Sequence, residues 1–159
     1  MLFRSYNAQL ASKLDASNNL TINGDTSVTG GTFYVNNLTI NHDKKLTFNS
    51  KTIIYVTGTL NCDGQFNSYL TNPCNLSIYV MGSGAVTMTN SGKQFYGTLY
   101  APLSAITMNN SDTFGQIIGK TLGSTANSHK WHYDEALANG SDGGPANKKW
   151  IKKPQHWIH

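Results

Sequence analysis

A short apolar–Tyr–apolar triplet returns along this chain at a spacing near twenty residues. Phe33-Tyr34-Val35 is followed by Ile54-Tyr55-Val56, Ile78-Tyr79-Val80, Leu99-Tyr100-Ala101 and Ile117-Ile118-Gly119, with steps of 21, 24, 21 and 18 residues between central positions. A second series agrees: Ala85-Val86-Thr87-Met88 returns as Ala105-Ile106-Thr107-Met108, and Asn19-Leu20-Thr21-Ile22-Asn23 returns as Asn37-Leu38-Thr39-Ile40-Asn41. Short alternating runs that recur at such a period identify a stacked array, in which each repeat buries its apolar side only against its neighbours. Runs such as Leu46-Thr47-Phe48 send apolar side chains to one face and Thr to the other. Three such strands and their turns fill about twenty residues, which makes one triangular coil. A leucine-rich repeat has a similar period but needs a regular Leu and Asn pattern that this chain lacks.

The expected fold is therefore all-β: a single-stranded parallel β-helix (β-solenoid) of about five coils of 18–24 residues, wound right-handed as parallel crossovers are. Composition agrees. Charged residues are 13% of the chain, which leaves too few to coat helix faces. Thr, Val, Ile and Tyr suit strands, while Asn, Gly and Ser suit tight turns. Three regions follow. Residues 1–18 form an N-terminal cap, with Phe3, Tyr6, Leu10 and Leu14 at helical spacing. Residues 19–137 form the solenoid, and Asp134–Gly140 reads as a short helical turn at its far end. Residues 138–159 form a Gly-, Lys- and Trp-containing tail. The longest step, between Tyr55 and Tyr79, contains Cys62, Pro73 and Cys74 and predicts a protruding loop.

The net charge of +4 belongs to the tail, since Lys148, Lys149, Lys152 and Lys153 supply four of the twelve basic residues against eight acidic ones. A balanced body with a basic end is not a nucleic-acid surface. No segment is apolar for long enough to span a bilayer, and MLFRSYNAQL has no apolar run of a secretory leader.

The order NLSIYVMGSG, QFYGTLYAPLSAITM, FGQIIGK and HYDEAL, between Asn75 and Leu137, resembles an uncharacterised C-terminal β-helix domain of bacterial pilin-like, pilus-assembly and anchored surface proteins. The resemblance covers about sixty residues closely and the earlier coils loosely. It implies an exported, pilus-associated or surface role, with no catalytic residues described. The apolar N-terminal helix of the pilin-like members has no counterpart here.

Candidate sites are weighed against plainer roles. Tyr34, Tyr55, Tyr79 and Tyr100 lie between apolar neighbours, so they point outward in a column. Such a face can bind glycan rings or a protein, although covering the wall and stabilising coil stacking is the plainer role. His129 and Trp131-His132-Tyr133-Asp134-Glu135 read as core closure and backbone caps rather than a metal or acid–base site, which needs convergent ligands. Cys62 and Cys74 are a candidate disulfide in an exported protein. The tail residues Lys148, Lys149, Trp150, Lys152, Lys153 and Trp157 are expected to pack on the solenoid or on a neighbour. A flat Thr array for ice binding breaks where Thr87-Met88-Thr89 becomes Thr107-Met108-Asn109. Asn19, Asn37, Asn75 and Asn109 match the glycan-acceptor pattern, as chance allows in an Asn- and Thr-rich chain. The only Arg is Arg4, and the acids recur at no fixed phase, so no clustered carboxylates suggest a polysaccharide-cleaving enzyme.

The expected function is a non-catalytic extracellular module at a bacterial surface, structural or adhesive and associated with a pilus or filament. It would need no cofactor, and its partners would be copies of itself or other surface subunits. A carbohydrate-binding module using the Tyr face is the alternative.

Overall fold

A computed structural model of the chain describes residues 8–89, 93–109, 112–123 and 130–132. It is a β-solenoid of about five turns. The first wall contains β1 (Leu20–Ile22), β4 (Leu38–Ile40), β7 (Leu60–Cys62) and β10 (Val86–Met88), paired in that order and all parallel. The second wall is β2 (Thr26–Val28), β5 (Lys45–Phe48) and β8 (Gln65–Asn67). The third contains β3 (Gly31–Val35), β6 (Thr52–Val56) and β9 (Leu76–Val80).

Two long strands, β11 (Phe95–Met108) and β12 (Asp112–Gly123), run from the third wall around a corner onto the first. β11 pairs with β9 through Thr98–Tyr100 and with β10 through Ile106–Met108. Between these stretches, from Ala101 to Ala105, the register of β11 with β12 shifts. There Ser104 turns inward and its hydroxyl donates to the Gly82 carbonyl at 3.0 Å. β13 (Lys130–His132) pairs with the start of β12.

Alternation puts apolar columns inside each wall. Leu20, Leu38, Leu60, Val86 and Ile106 stack in register, as do Ile22, Ile40, Cys62, Met88 and Met108, and all are buried. Because the parallel ladder satisfies the backbone groups, the interior can be filled with side chains alone.

The corner between the third and first walls explains the repeated Asn before Leu-Thr-Ile. The Asn37 amide donates to Asn19 Oδ1 at 2.8 Å, while Asn37 Oδ1 accepts from the Thr59 backbone N–H at 2.7 Å and from its hydroxyl at 2.9 Å. These residues recur because they lock successive coils together, and the amide nitrogen of a glycan acceptor at Asn37 is engaged.

The N-terminal segment holds a 3-10 helix, Ala8–Lys13, where the spacing suggests a capping helix. Leu10 is buried beneath it, and Leu14 bridges to Leu20 in antiparallel sense. The Gln9 side chain donates to Gly30 O and accepts from Thr29 N, so it takes up backbone groups of the first coil. Asp15 then ends the cap. Its carboxylate accepts from Ser17 N, Asn19 N and the Asn19 amide at 2.8–2.9 Å. The backbone N–H of Asn19 above all, and then its amide, hold the Asp15 carboxyl below its ordinary pKa. This tight turn stops the helix after two turns. Phe3 and Tyr6, the expected terminal turn at 134–140 and the whole tail lie outside the described residues.

The expected loop lies between β8 and β9, as two 3-10 turns, Tyr69–Thr71 and Pro73–Asn75. Leu70 and Thr71 have left-handed φ of 56° and 48°, and Leu70 is 73% exposed. The Asn72 side chain caps the second turn by accepting from Cys74 N at 2.9 Å.

Among the described residues, no helix is long and apolar enough to cross a membrane.

Candidate aromatic face

The outward residues of the third wall form two aromatic columns. In the first, Tyr34, Tyr55, Tyr79 and Tyr100 are direct register partners across four coils. Strand alternation fixes them outward, since Phe33 and Val35, Ile54 and Val56, Ile78 and Val80, and Leu99 and Ala101 all point into the core. The ring centroids are 5.0 Å apart for Tyr34–Tyr55 and 5.3 Å for Tyr55–Tyr79, with interplanar angles of 10° and 19°. Tyr100 departs from the stack: it lies 5.9 Å from Tyr79, tilted by 57°. Ile118 takes the next position in register.

This geometry decides what the column can do. A sugar-binding platform needs ring faces turned toward the ligand. Here the faces of Tyr34, Tyr55 and Tyr79 are turned toward one another, so the wall presents ring edges and hydroxyls. Tyr100, 37% exposed, is the member turned out of the stack.

The second column was not foreseen from the sequence. Tyr96, Phe114 and His132 are register partners, with centroids 4.6 Å and 4.4 Å apart and planes within 7° of parallel. Three different ring types at an 18-residue spacing conceal this column, although the spacing itself is the signal. The Tyr96 hydroxyl donates to Gln94 Oε1 at 2.8 Å. The Trp131–Glu135 segment therefore needs correction. His132 stacks on an aromatic ring instead of capping a coil end, and Trp131, although it shares its register position with the buried Thr113, is 45% exposed on the last described strand. Tyr133, Asp134, Glu135 and His129 lie outside the described residues, as do Lys148, Lys149, Trp150, Lys152, Lys153 and Trp157.

Cys62 and Cys74 do not form a disulfide. Cys62 faces inward on β7 between Ile40 and Met88, whereas Cys74 sits in the 3-10 turn before β9. Burial pushes the Cys62 thiol up to about 12 from its ordinary 9.0. The folded protein thus holds this proton more tightly than the unfolded chain. Its contribution to stability is full below pH 9.0 and is lost as pH rises toward about 12. Under native conditions at neutral pH, a maleimide is expected to modify Cys74 and spare Cys62 until the chain is unfolded, as mass spectrometry of labelled peptides would read. Equal native labelling of both would mean that β7 opens readily.

A polar cluster lies at a corner of the first wall. The His42 ring contacts Asp43 and Asp63, each at 3.2 Å, and Asp63 also accepts from the Thr89 hydroxyl at 3.3 Å. All three side chains are exposed, where such contacts contribute about 0–1 kcal/mol. Asp25 accepts from Lys45 N at 3.1 Å. These carboxylates tie one coil to the next. Thr21, Thr39, Asn61, Thr87 and Thr107 form one outward column, so the Thr array does exist at a single phase and is interrupted at Asn61.

Residues 49–140 match the model of a family described as a domain of unknown function (DUF7305). That is more than half of the chain. The chain belongs to that family. No curated protein and no solved structure matches it. The family region takes in Tyr55, Tyr79 and Tyr100 and the whole Tyr96–Phe114–His132 column, whereas Tyr34 and the first coil precede it.

Proposed function

We propose that this protein is a non-catalytic structural or adhesive module of the bacterial cell surface, associated with a pilus or filament. The observation that carries this reading is what the register columns contain. They hold stacked aromatics, Asn and Thr ladders and inward aliphatics, which together make a stiff rod with long side walls. The acids Asp15, Asp25 and Asp63 serve the same end, each accepting hydrogen bonds that fasten one segment to another. The proposed location rests on the resemblance of the stretch from Asn75 to Leu137 to pilus-assembly and anchored surface proteins.

The side walls are the surfaces available for partners. The cap covers the first coil, so an end-to-end contact there would have to displace Leu10 and Leu14. Carbohydrate binding through the Tyr column is the weaker reading, because the inner ring faces are taken up by each other.

Light scattering and electron microscopy over a concentration series test the proposal. Oligomers or filaments that survive dilution, or retention on purified surface filaments, are the expected result. A strict monomer at high concentration that ignores such filaments would overturn it.

A further inference from the structure

The Tyr column holds phenols in pairs, each fixed against the next coil. Tyr34–Tyr55 and Tyr55–Tyr79 are separated by 5.0 Å and 5.3 Å between ring centres, and Tyr79–Tyr100 by 5.9 Å with the rings tilted at 57°. All four belong to register partners on adjacent strands, so backbone hydrogen bonds keep their bases a coil apart. Two reactive groups held in this way meet without diffusing together, which favours their mutual reaction over reaction with another molecule.

We infer that this column is an oxidative cross-linking site, at which a one-electron oxidant joins tyrosines of neighbouring coils as dityrosine. In the chemistry, each phenol gives up one electron and one proton to become a phenoxyl radical. The two radicals couple through the ring carbons beside the hydroxyls, forming one C–C bond. The two ring protons at those carbons then move to the oxygens, which restores both phenols. The net change is loss of two electrons and two protons. A haem peroxidase passes them to hydrogen peroxide, which becomes two waters. Parallel rings must turn about their Cβ–Cγ bonds to couple, and the Tyr79–Tyr100 pair is already part-way there. The product is a covalent staple across coils that are otherwise held by hydrogen bonds and packing alone. It would harden a surface module where oxidants reach it.

The test compares two variants with the same number of tyrosines. Tyr34→Phe with Tyr100→Phe keeps the adjacent pair Tyr55 and Tyr79. Tyr55→Phe with Tyr100→Phe leaves Tyr34 and Tyr79, which are two coils apart. Phenylalanine retains the ring, and circular dichroism checks that both variants keep the β-sheet signal. Each is treated, dilute, with horseradish peroxidase and hydrogen peroxide, and dityrosine is read by its fluorescence and by cross-linked peptides from the monomer band. The expected result is a Tyr55–Tyr79 cross-linked peptide in the first variant and no cross-linked peptide joining Tyr34 to Tyr79 in the second. Urea-unfolded chains should show no difference between the two. Equal intrachain yields of the Tyr55–Tyr79 and Tyr34–Tyr79 peptides in the two folded variants would overturn the inference, as would cross-links found only between chains.

Discussion

Ile54→Ala is expected to destabilise the protein by roughly 2–5 kcal/mol, whereas Ile53→Ala, one residue away, should cost about 1 kcal/mol or less. Ile54 is 1% exposed and lies between Phe33 and Ile78 in register, at the middle of the third wall. Removing its outer carbons leaves a void that the neighbouring coils cannot fill, because their backbones are fixed by the ladder. Ile53 has the same composition and belongs to the same strand but points outward. Urea denaturation followed by circular dichroism gives both values. Similar losses at the two sites would mean that the strand is out of phase by one residue, which would reverse every inward and outward assignment on the third wall.

Gly115→Ala is expected to cost about 3 kcal/mol or more, a large effect for the addition of one methyl group. Two terms combine. Gly115 has φ +134°, a conformation almost closed to residues with a side chain. Its register partner is Gly97, and a Cβ at Gly115 would meet the Gly97 carbonyl. That carbonyl is backbone in a paired strand, so it has little freedom to yield, and overpacking of this kind alone costs about 1–3 kcal/mol. The contrast is Gly24→Ala, where a Cβ meets nothing within 4 Å. The same urea titration should show that change close to neutral. A Gly115→Ala protein as stable as the parent would show that the two coils are further apart at this point than described.

The parts legible in the sequence are those where register partners share a side chain. Tyr34, Tyr55, Tyr79 and Tyr100 announce the third wall because the stacked ring recurs at each coil. Leu20-Thr21-Ile22 and Leu38-Thr39-Ile40 announce the first wall for the same reason. The second wall left no motif. Thr26-Ser27-Val28, Lys45–Phe48 and Gln65–Asn67 share only alternation, since an interior lined by Val28, Phe48 or Phe66 accepts varied sizes if their neighbours compensate. The disulfide expectation failed because cysteine content says nothing about direction, and strand parity sends Cys62 into the core. A helix does lie in the N-terminal segment, at Ala8–Lys13, and it is of the 3-10 form. Leu10 is its buried residue, and the Asp15 turn follows at once. Exposure of Trp131 is hidden because alternation and its register with the buried Thr113 both assign it inward, yet it lies on the last described strand and is 45% exposed.

The longest coil carries a consequence for how such a chain can change in length. The segment from Ser68 to Asn75 is added between β8 and β9, yet β9 still meets β6 residue for residue. Each ladder closes a loop of only about one coil, and loop-closure entropy grows slowly with added residues. Insertions at a corner are therefore absorbed locally, and whole coils can be duplicated or deleted without asking distant strands to find new partners. Reach along the axis, about 4.8 Å for each coil, is then set by copy number, while the corner loops remain free to diversify.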